Sequence, residues 1–479
     1  MTDTERIAEL EAQVRQRDEI IAELRAVVSD LQRQIAELRA QQAKDSHNSS
    51  KPPSSDGLKR RTGVSRPKSG RKPGGQPGHP GQTLLRQATP DHVQTHRPAY
   101  CEQCQQDLNH VAGQEVERRQ VQDVPPLRLE ATDHVLEMVH CPRCHHPTRG
   151  TFPTGVRAPV QYGPRLCAVA TYLHHVQLLP YQGTCQAVEA LCGARISERT
   201  LESWEQEAAH VVRPQVERIA EYAQASMHGH GDETGYRLNG RLHWLHTFST
   251  RWLTYLFPHA KRGRQALDAQ GIWPHFHGVG IHDRWASYEG YAPQHQWCKA
   301  HLIRDLTFIQ ETYHYEWTAR MRSLLSAMHA ARQEWTARRQ PQIPPDEHAT
   351  WIAEYFAILR DGYASLPPAA PIEPLPKRRG RAKHHPAQNL LDALVQHADW
   401  VIGFLDDGAL PFTNNLAERD LRMLKVQQKI SGTFRNDGGV AVFCALRSYL
   451  ATLQKQGHSL FAALTRVFLG HPLPVAWGT

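Results

Sequence analysis

SMHGHGDETGYRLNGRLHWLHTFSTRWLTYLFP, residues 226–258, is the stretch on which the fold turns. Three runs in it, 226–232, 241–248 and 252–258, carry aromatic, β-branched and alternating apolar residues, and short turns part them. That pattern predicts an antiparallel meander of three strands. A helix-like segment, RGRQALDAQGI, follows, and then HGVGIHD (277–283) predicts a buried fourth strand. In this reading Asp232 ends the first strand and Asp283 ends the fourth.

Downstream, from about Leu302 to Trp400, the chain is rich in Trp, Arg, Ala and Leu at helical spacing, broken by QPQIPPDE and by LPPAAPIEPLPKRRGRAKHHP. This predicts a helical insertion. PFTNNLAERDLRMLKVQQKISGTFRN (411–436) then predicts an amphipathic helix, and a last helix is expected from about Gly438 to Gln456. Glu418, Arg422, Lys425 and Lys429 are spaced to share one helix face. Glu418 reads in two ways. It can close a capping box with Asn415 as N-cap and pair with Arg422 one turn on, or it can be the third acid of a site.

Three strands, a helix, a fourth strand and a later acidic helix is the order of a ribonuclease-H-like α/β fold, in which Asp232, Asp283 and Glu418 converge at one sheet edge. Converging carboxylates repel unless a cation sits between them. Hard oxygen donors suit Mg²⁺ or Mn²⁺ and not zinc. Two such ions would activate a water or a 3′-hydroxyl for in-line attack on a phosphodiester. Each acid also has a plain alternative, as a turn residue, a cap or a capping box.

The N-terminal part has a different character. Residues 1–45 carry a heptad with Ile7, Val14, Ile21, Val28 and Ile35 at a and Leu10, Arg17, Leu24, Leu31 and Leu38 at d. β-Branched residues at a and Leu at d favour a parallel two-stranded coiled coil, hence a homodimer or higher oligomer. Residues 46–95 read as a basic linker: between Ser46 and Pro90 there are seven Pro, seven Gly and nine Lys or Arg against Asp56 alone. That stretch, with Lys59, Arg60, Arg61, Arg71 and Lys72, accounts for the chain's net charge of +8 and points to a polyanion such as double-stranded DNA.

Nine cysteines are present, four of them in CEQC and CPRC. Cys101, Cys104, Cys141 and Cys144 suit a structural Zn²⁺ in a module over 96–155, with His110, His140, His145 and His146 as spare donors. Residues 156–222 have the form helix, turn, helix. Val188 and Leu191 are expected inward on the first helix, Gly193 at the turn, Ser197 as cap, and Leu201 and Trp204 packing the second. An ordinary helical hairpin would read alike. No run of apolar residues is long enough for a membrane helix and the charged N-terminus is no signal peptide, which predicts a cytoplasmic protein, nucleoid-associated when bound to DNA. The expected architecture is thus multidomain: a catalytic core over 223–305 and 401–456, an insertion over 306–400 and a tail over 457–479.

GDET around Asp232, IHDRWASYEGY around Asp283 with WCKAHLIRDL behind it, and TNNLAERDLRMLKVQQKISGTFRN around Glu418 resemble the insertion-sequence-66 group of bacterial DDE transposases. The heptads, the NSSKPPSSD linker with RKPGGQPGHPG and the CxxC pairs extend the resemblance over nearly the whole chain. It implies a Mg²⁺-dependent DNA transposase, with Asp232, Asp283 and Glu418 as metal ligands and small proteins of the same element as accessory partners. Arg422, Lys425, Lys429 and Arg435 would follow the DNA backbone. Cys298 and His301 match the group's Cys-x-x-His, in a structural or substrate-positioning role. A DNA-binding protein or regulator derived from a transposase, without chemistry, is the rival reading.

Overall fold

The computed structural model describes residues 3–45, 47–49, 83–340, 342–367 and 384–477. They belong to two compact units, residues 60–130 and residues 1–59 with 131–479. In the smaller unit, Cys101 N–H donates to Gln106 O (2.9 Å) and Gln105 N–H returns to Cys101 O (2.9 Å), which folds CEQC into a tight knuckle.

The larger unit begins with helix α1 (Asp3–Gln42). Its seam residues Val14, Ile21, Leu24, Val28, Leu31, Ile35 and Leu38 are all exposed on the single chain. Strands β1 (Met138–His140) and β2 (Pro147–Arg149) form a short antiparallel hairpin around CPRC. Helix α2 (Pro164–Thr171), a π-helical turn at Tyr172–Val176, α3 (Tyr181–Cys192) and α4 (Glu198–Gln224) follow. Gly193 takes the left-handed conformation (φ +69°) that ends α3, and Ser197 caps α4 by accepting from Thr200 N–H at 3.0 Å. Val188 and Leu201 are buried there as expected, but Leu191 is 53% exposed. It lies at the very end of α3, where Gly193 turns the chain away.

Strands β3 (His228–Leu238), β4 (Arg241–Ser249), β5 (Thr254–His259), β6 (Val279–His282) and β7 (Gln294–Trp297) make one sheet in the order β5-β4-β3-β6-β7. The first three are antiparallel, and β6 and β7 join parallel to β3. Helix α5 (Arg264–Gln270) makes the crossover from β5 to β6. Pro258 sits on the edge strand β5, where a missing N–H costs least. The meander is as the alternation predicts, with two differences. β3 does not stop at Asp232 but stays paired to β4 as far as Leu238, and β7 is an additional strand that its short QHQW sequence does not announce.

On one face of the sheet Phe248, Trp273, Phe276 and Tyr288 pack edge to face, with ring centroids 5.1 to 5.6 Å apart. Gly231 is required under them, since a Cβ there would stand 2.5 Å from the Trp273 ring. Against the other face lie α11 (Asn415–Ser431) and α12 (Asp437–Lys455), whose Leu421, Leu424 and Phe443 meet Leu245 and Leu256. α13 (Leu460–Phe468) occupies the segment read as a tail; its Ala463, Leu464 and Val467 are buried with α4 and α12. Between β7 and α11 the helices α6 (Lys299–Tyr313), α7 (Glu316–Ala337), α8 (Pro345–Ala364), α9 (Pro386–Gln396) and α10 (Ala398–Ile402) bury Met321, Leu325, Tyr355, Leu391 and Phe404 in a core of their own. None of the helices among the described residues is long and apolar enough to cross a membrane.

Candidate functional site

Strand register brings the first two acids together. β3 and β6 pair His228 with Val279, Gly229 with Gly280 and His230 with Ile281. The ladder ends there, two residues before Asp232 on β3 and two before Asp283 beyond β6, and the Asp283 charge reaches Asp232. Asp283 immediately follows β6, so its carboxylate stands at the strand's C-terminal end, where Oδ1 accepts from Trp285 N–H at 2.9 Å. Burial and then the charges of Glu233 and Asp283 hold the Asp232 carboxyl well above the ordinary carboxylate range, and Glu418 adds to the effect. Both other predicted acids therefore act on Asp232 through their charge.

Glu418 is not a capping residue. The N-cap of α11 is Asn414, not Asn415, and its backbone N–H, which a capping-box glutamate would take, donates to Cys298 Sγ at 3.1 Å. The Asn414 side chain is drawn to β3 instead: Nδ2 donates to Gly231 O (2.7 Å) and Oδ1 faces His230 Nδ1 (2.9 Å). This fixes the start of α11 next to Asp232. Among the described residues no ion pair links Glu418 to Arg422; the cation nearest to Glu418 Oε1 is the His301 ring, at 3.8 Å.

Cys298, His301 and Glu418 thus form one cluster, their ligand atoms all within 4.8 Å. Burial lowers the His301 pKa, but the Cys298 thiol, Glu418 and Asp283 together raise it to about 9. Burial pushes the Cys298 thiol up, yet its hydrogen bond to His301 brings it below its ordinary value. Glu418 Oε1 is buried without a hydrogen bond. A buried carboxylate oxygen without a hydrogen bond is costly. Among the described residues the ligand atoms that come within 4.8 Å of one another at Glu418 are those of Cys298 and His301, and not those of Asp232 and Asp283.

Sequence reasoning missed a fourth carboxylate. Glu233 points to the opposite face of β3, where Arg262 contacts Oε1 (2.6 Å) and Tyr288 OH donates to Oε2 (2.8 Å). Arg262 is itself held over the rings of Trp244 (4.9 Å) and Trp285 (4.3 Å). Burial and the nearby Asp283 charge raise Glu233 to about 7 in spite of Arg262. The signal was the second acid of GDET, one residue from Asp232. Asn414 was missed too, although TNN stands just before the helix.

Of the basic residues on α11, Arg422 and Lys429 are exposed, as is Arg435 beyond it. Lys425 is engaged: Nζ donates to Gly235 O at 2.7 Å. Lys59, Arg60, Arg61, Arg71 and Lys72 lie outside the described residues. Cys101 and Cys104 belong to the smaller unit and Cys141 and Cys144 to the larger. Both pairs fold alike. Cys141 N–H donates to His146 O (3.0 Å) and His145 N–H to Cys141 O (2.8 Å), repeating the bonds of Cys101. Backbone N–H groups of Cys104 and Gln103 lower the Cys101 thiol pKa, and those of Cys144 and Arg143 do the same for Cys141. This favours the thiolate form that binds metal.

Comparison with known proteins defines the class: a transposase, an enzyme that moves DNA. The chain belongs to the Transposase IS66 family, whose model matches residues 159–441, more than half of its length, from before α2 through the sheet, the insertion and α11. Residues 2–84 match a second model, described as Family of unknown function (DUF6444). No curated protein matches the chain.

Proposed function

We propose that this transposase has a ribonuclease-H-like DDE core that cuts the ends of its element and joins the 3′-hydroxyls to target DNA. Asp232, Asp283 and Glu418 are the ligands of Mg²⁺ or Mn²⁺. The observation that carries the reading is that Glu418 Oε1, buried and without a hydrogen bond, belongs to the carboxylate group that raises Asp232. When bound, two ions supply Lewis-acid activation of a water or 3′-hydroxyl and stabilise the leaving oxygen.

The chain's own residues do the rest. β3 and β6 hold Asp232 and Asp283 rigidly, Asn414 fixes the start of α11, and His301 orients the Glu418 carboxylate. Arg422, Lys429 and Arg435 face phosphates of the bound duplex, and the basic linker adds sequence-independent attraction. Residues 156–222 act as a helix-turn-helix on the element ends, and the thiolates of Cys101, Cys104, Cys141 and Cys144 are ligands of structural Zn²⁺. The exposed seam of α1 pairs protomers, because an apolar stripe of this length is stable when buried against a second copy. A DNA-binding derivative without chemistry is not favoured, since all three acids are present.

Supercoiled DNA carrying the element's ends, incubated with protein and Mg²⁺ or Ca²⁺, tests this. Wild type is expected to give joined products with Mg²⁺ alone, and Glu418→Gln to bind the ends without joining them. Equal joining by both proteins would remove Glu418 from the chemistry.

A further inference from the structure

A second cluster of metal-binding side chains lies away from the three acids. His174 and His175 stand on the π-helical turn after α2, and Glu205 reaches them from α4. His174 Nδ1 contacts Glu205 Oε1, His175 Nε2 is 3.3 Å from the same oxygen, and Tyr181 OH, from α3, donates to Oε2 at 2.8 Å. The ligand atoms of His174, His175 and Glu205 all lie within 4.8 Å of one another. Neither ring nitrogen of His175 makes a hydrogen bond, although the residue is only 4% exposed. Glu205 is 1% exposed.

We propose that His174, His175 and Glu205 bind one divalent transition ion, zinc by the preference of two imidazoles and a carboxylate, with the Tyr181 hydroxyl or a water as fourth ligand. Charge balance supports it. A buried carboxylate beside two imidazoles suits a cation at the point the three share. Without an ion one buried carboxylate oxygen would have to serve both rings, with His175 Nε2 3.3 Å from it and not hydrogen-bonded. π-Helical turns are rare and gather at functional sites; here the turn presents two successive histidines to one carboxylate.

The ion would join α2, α3 and α4 at one point. It would also join them to the core, because Arg447 of α12 donates to His175 O at 3.1 Å. The helices before the sheet would then be held to α12 by a metal clip separate from the Mg²⁺ ligands proposed above.

Full-length protein is saturated with Zn²⁺, desalted, and its zinc counted before and after a mercurial that displaces metal from thiolates. One equivalent per chain is expected to resist the mercurial and to be released by acid. Glu418→Gln should retain that equivalent, and His174→Ala and Glu205→Gln should lose it. The wild-type count decides the matter even if a variant fails to fold. Wild type with no mercurial-resistant zinc overturns the proposal, and so does a resistant ion that Glu418→Gln loses and Glu205→Gln keeps.

Discussion

Helix α11 carries two acids two residues apart, and they face opposite environments. Asp420 points toward β4, β5 and α12, where Ser249 (2.6 Å) and Thr254 (2.8 Å) hydroxyls and Lys455 Nζ (2.7 Å) all donate to its Oδ2. Lys455 is in turn bonded to the carbonyls of Thr250 and Leu253, so the whole cluster is satisfied from within the chain. Glu418 lies beside Cys298 and His301, its charge reaches Asp232, and it has an oxygen with no hydrogen bond. One helix therefore holds a carboxylate hydrogen-bonded within the fold and another with an oxygen that has only the more distant His301 ring as partner. The difference teaches that partners, not residue type, separate structural acids from functional ones.

Three substitutions sharpen that contrast. Glu418→Gln should reduce strand transfer at least about a thousandfold, because metal stabilisation of the reacting oxygens is worth several kcal/mol. Its urea midpoint should stay near that of wild type, since no hydrogen bond is removed. Asp420→Ala should do the reverse at the level of the fold. It leaves Lys455 buried without its carboxylate, at a cost of about 3–5 kcal/mol in urea unfolding. A small effect of Asp420→Ala on stability would mean that the two acids are not so different.

The third effect is smaller and depends on pH. Glu233, raised to about 7, binds its proton more tightly in the folded chain than in the unfolded one. Stability without added metal should therefore be fully present below its ordinary value of 4.5 and fall as pH rises toward about 7. Glu233→Gln, which keeps the oxygen that Tyr288 contacts, should flatten this fall in thermal melts recorded across roughly pH 4 to 8.

Much of the core was legible in the sequence. The alternating runs at 226–258 marked the meander because period-two burial leaves a plain trace, and GVGIHD marked a buried strand ending at an acid. β7 was hidden because QHQW has no β-branched residue and is fixed by pairing with β6 rather than by its own pattern. The continuation of β3 past Asp232 was hidden because DETG resembles a turn, and only the ladder to β4 overrides that preference. Asn414 could not be separated from Asn415 by propensity, since either can cap a helix; the choice is made by Gly231, His230 and Cys298, far away in sequence. His174, His175 and Glu205 gave no sequence signal beyond an adjacent His pair, because the third member lies thirty residues on and a whole helix intervenes.

The central claim is that Glu418, and not its neighbour Asp420, completes a divalent-cation site with Asp232 and Asp283. Mn²⁺ binding to full-length wild type, Glu418→Gln and Asp420→Asn, counted by electron paramagnetic resonance of the free ion, tests it most directly. Wild type and folded Asp420→Asn should bind Mn²⁺ alike, and Glu418→Gln should bind it at least about tenfold more weakly. Equal binding by all three proteins would contradict the account.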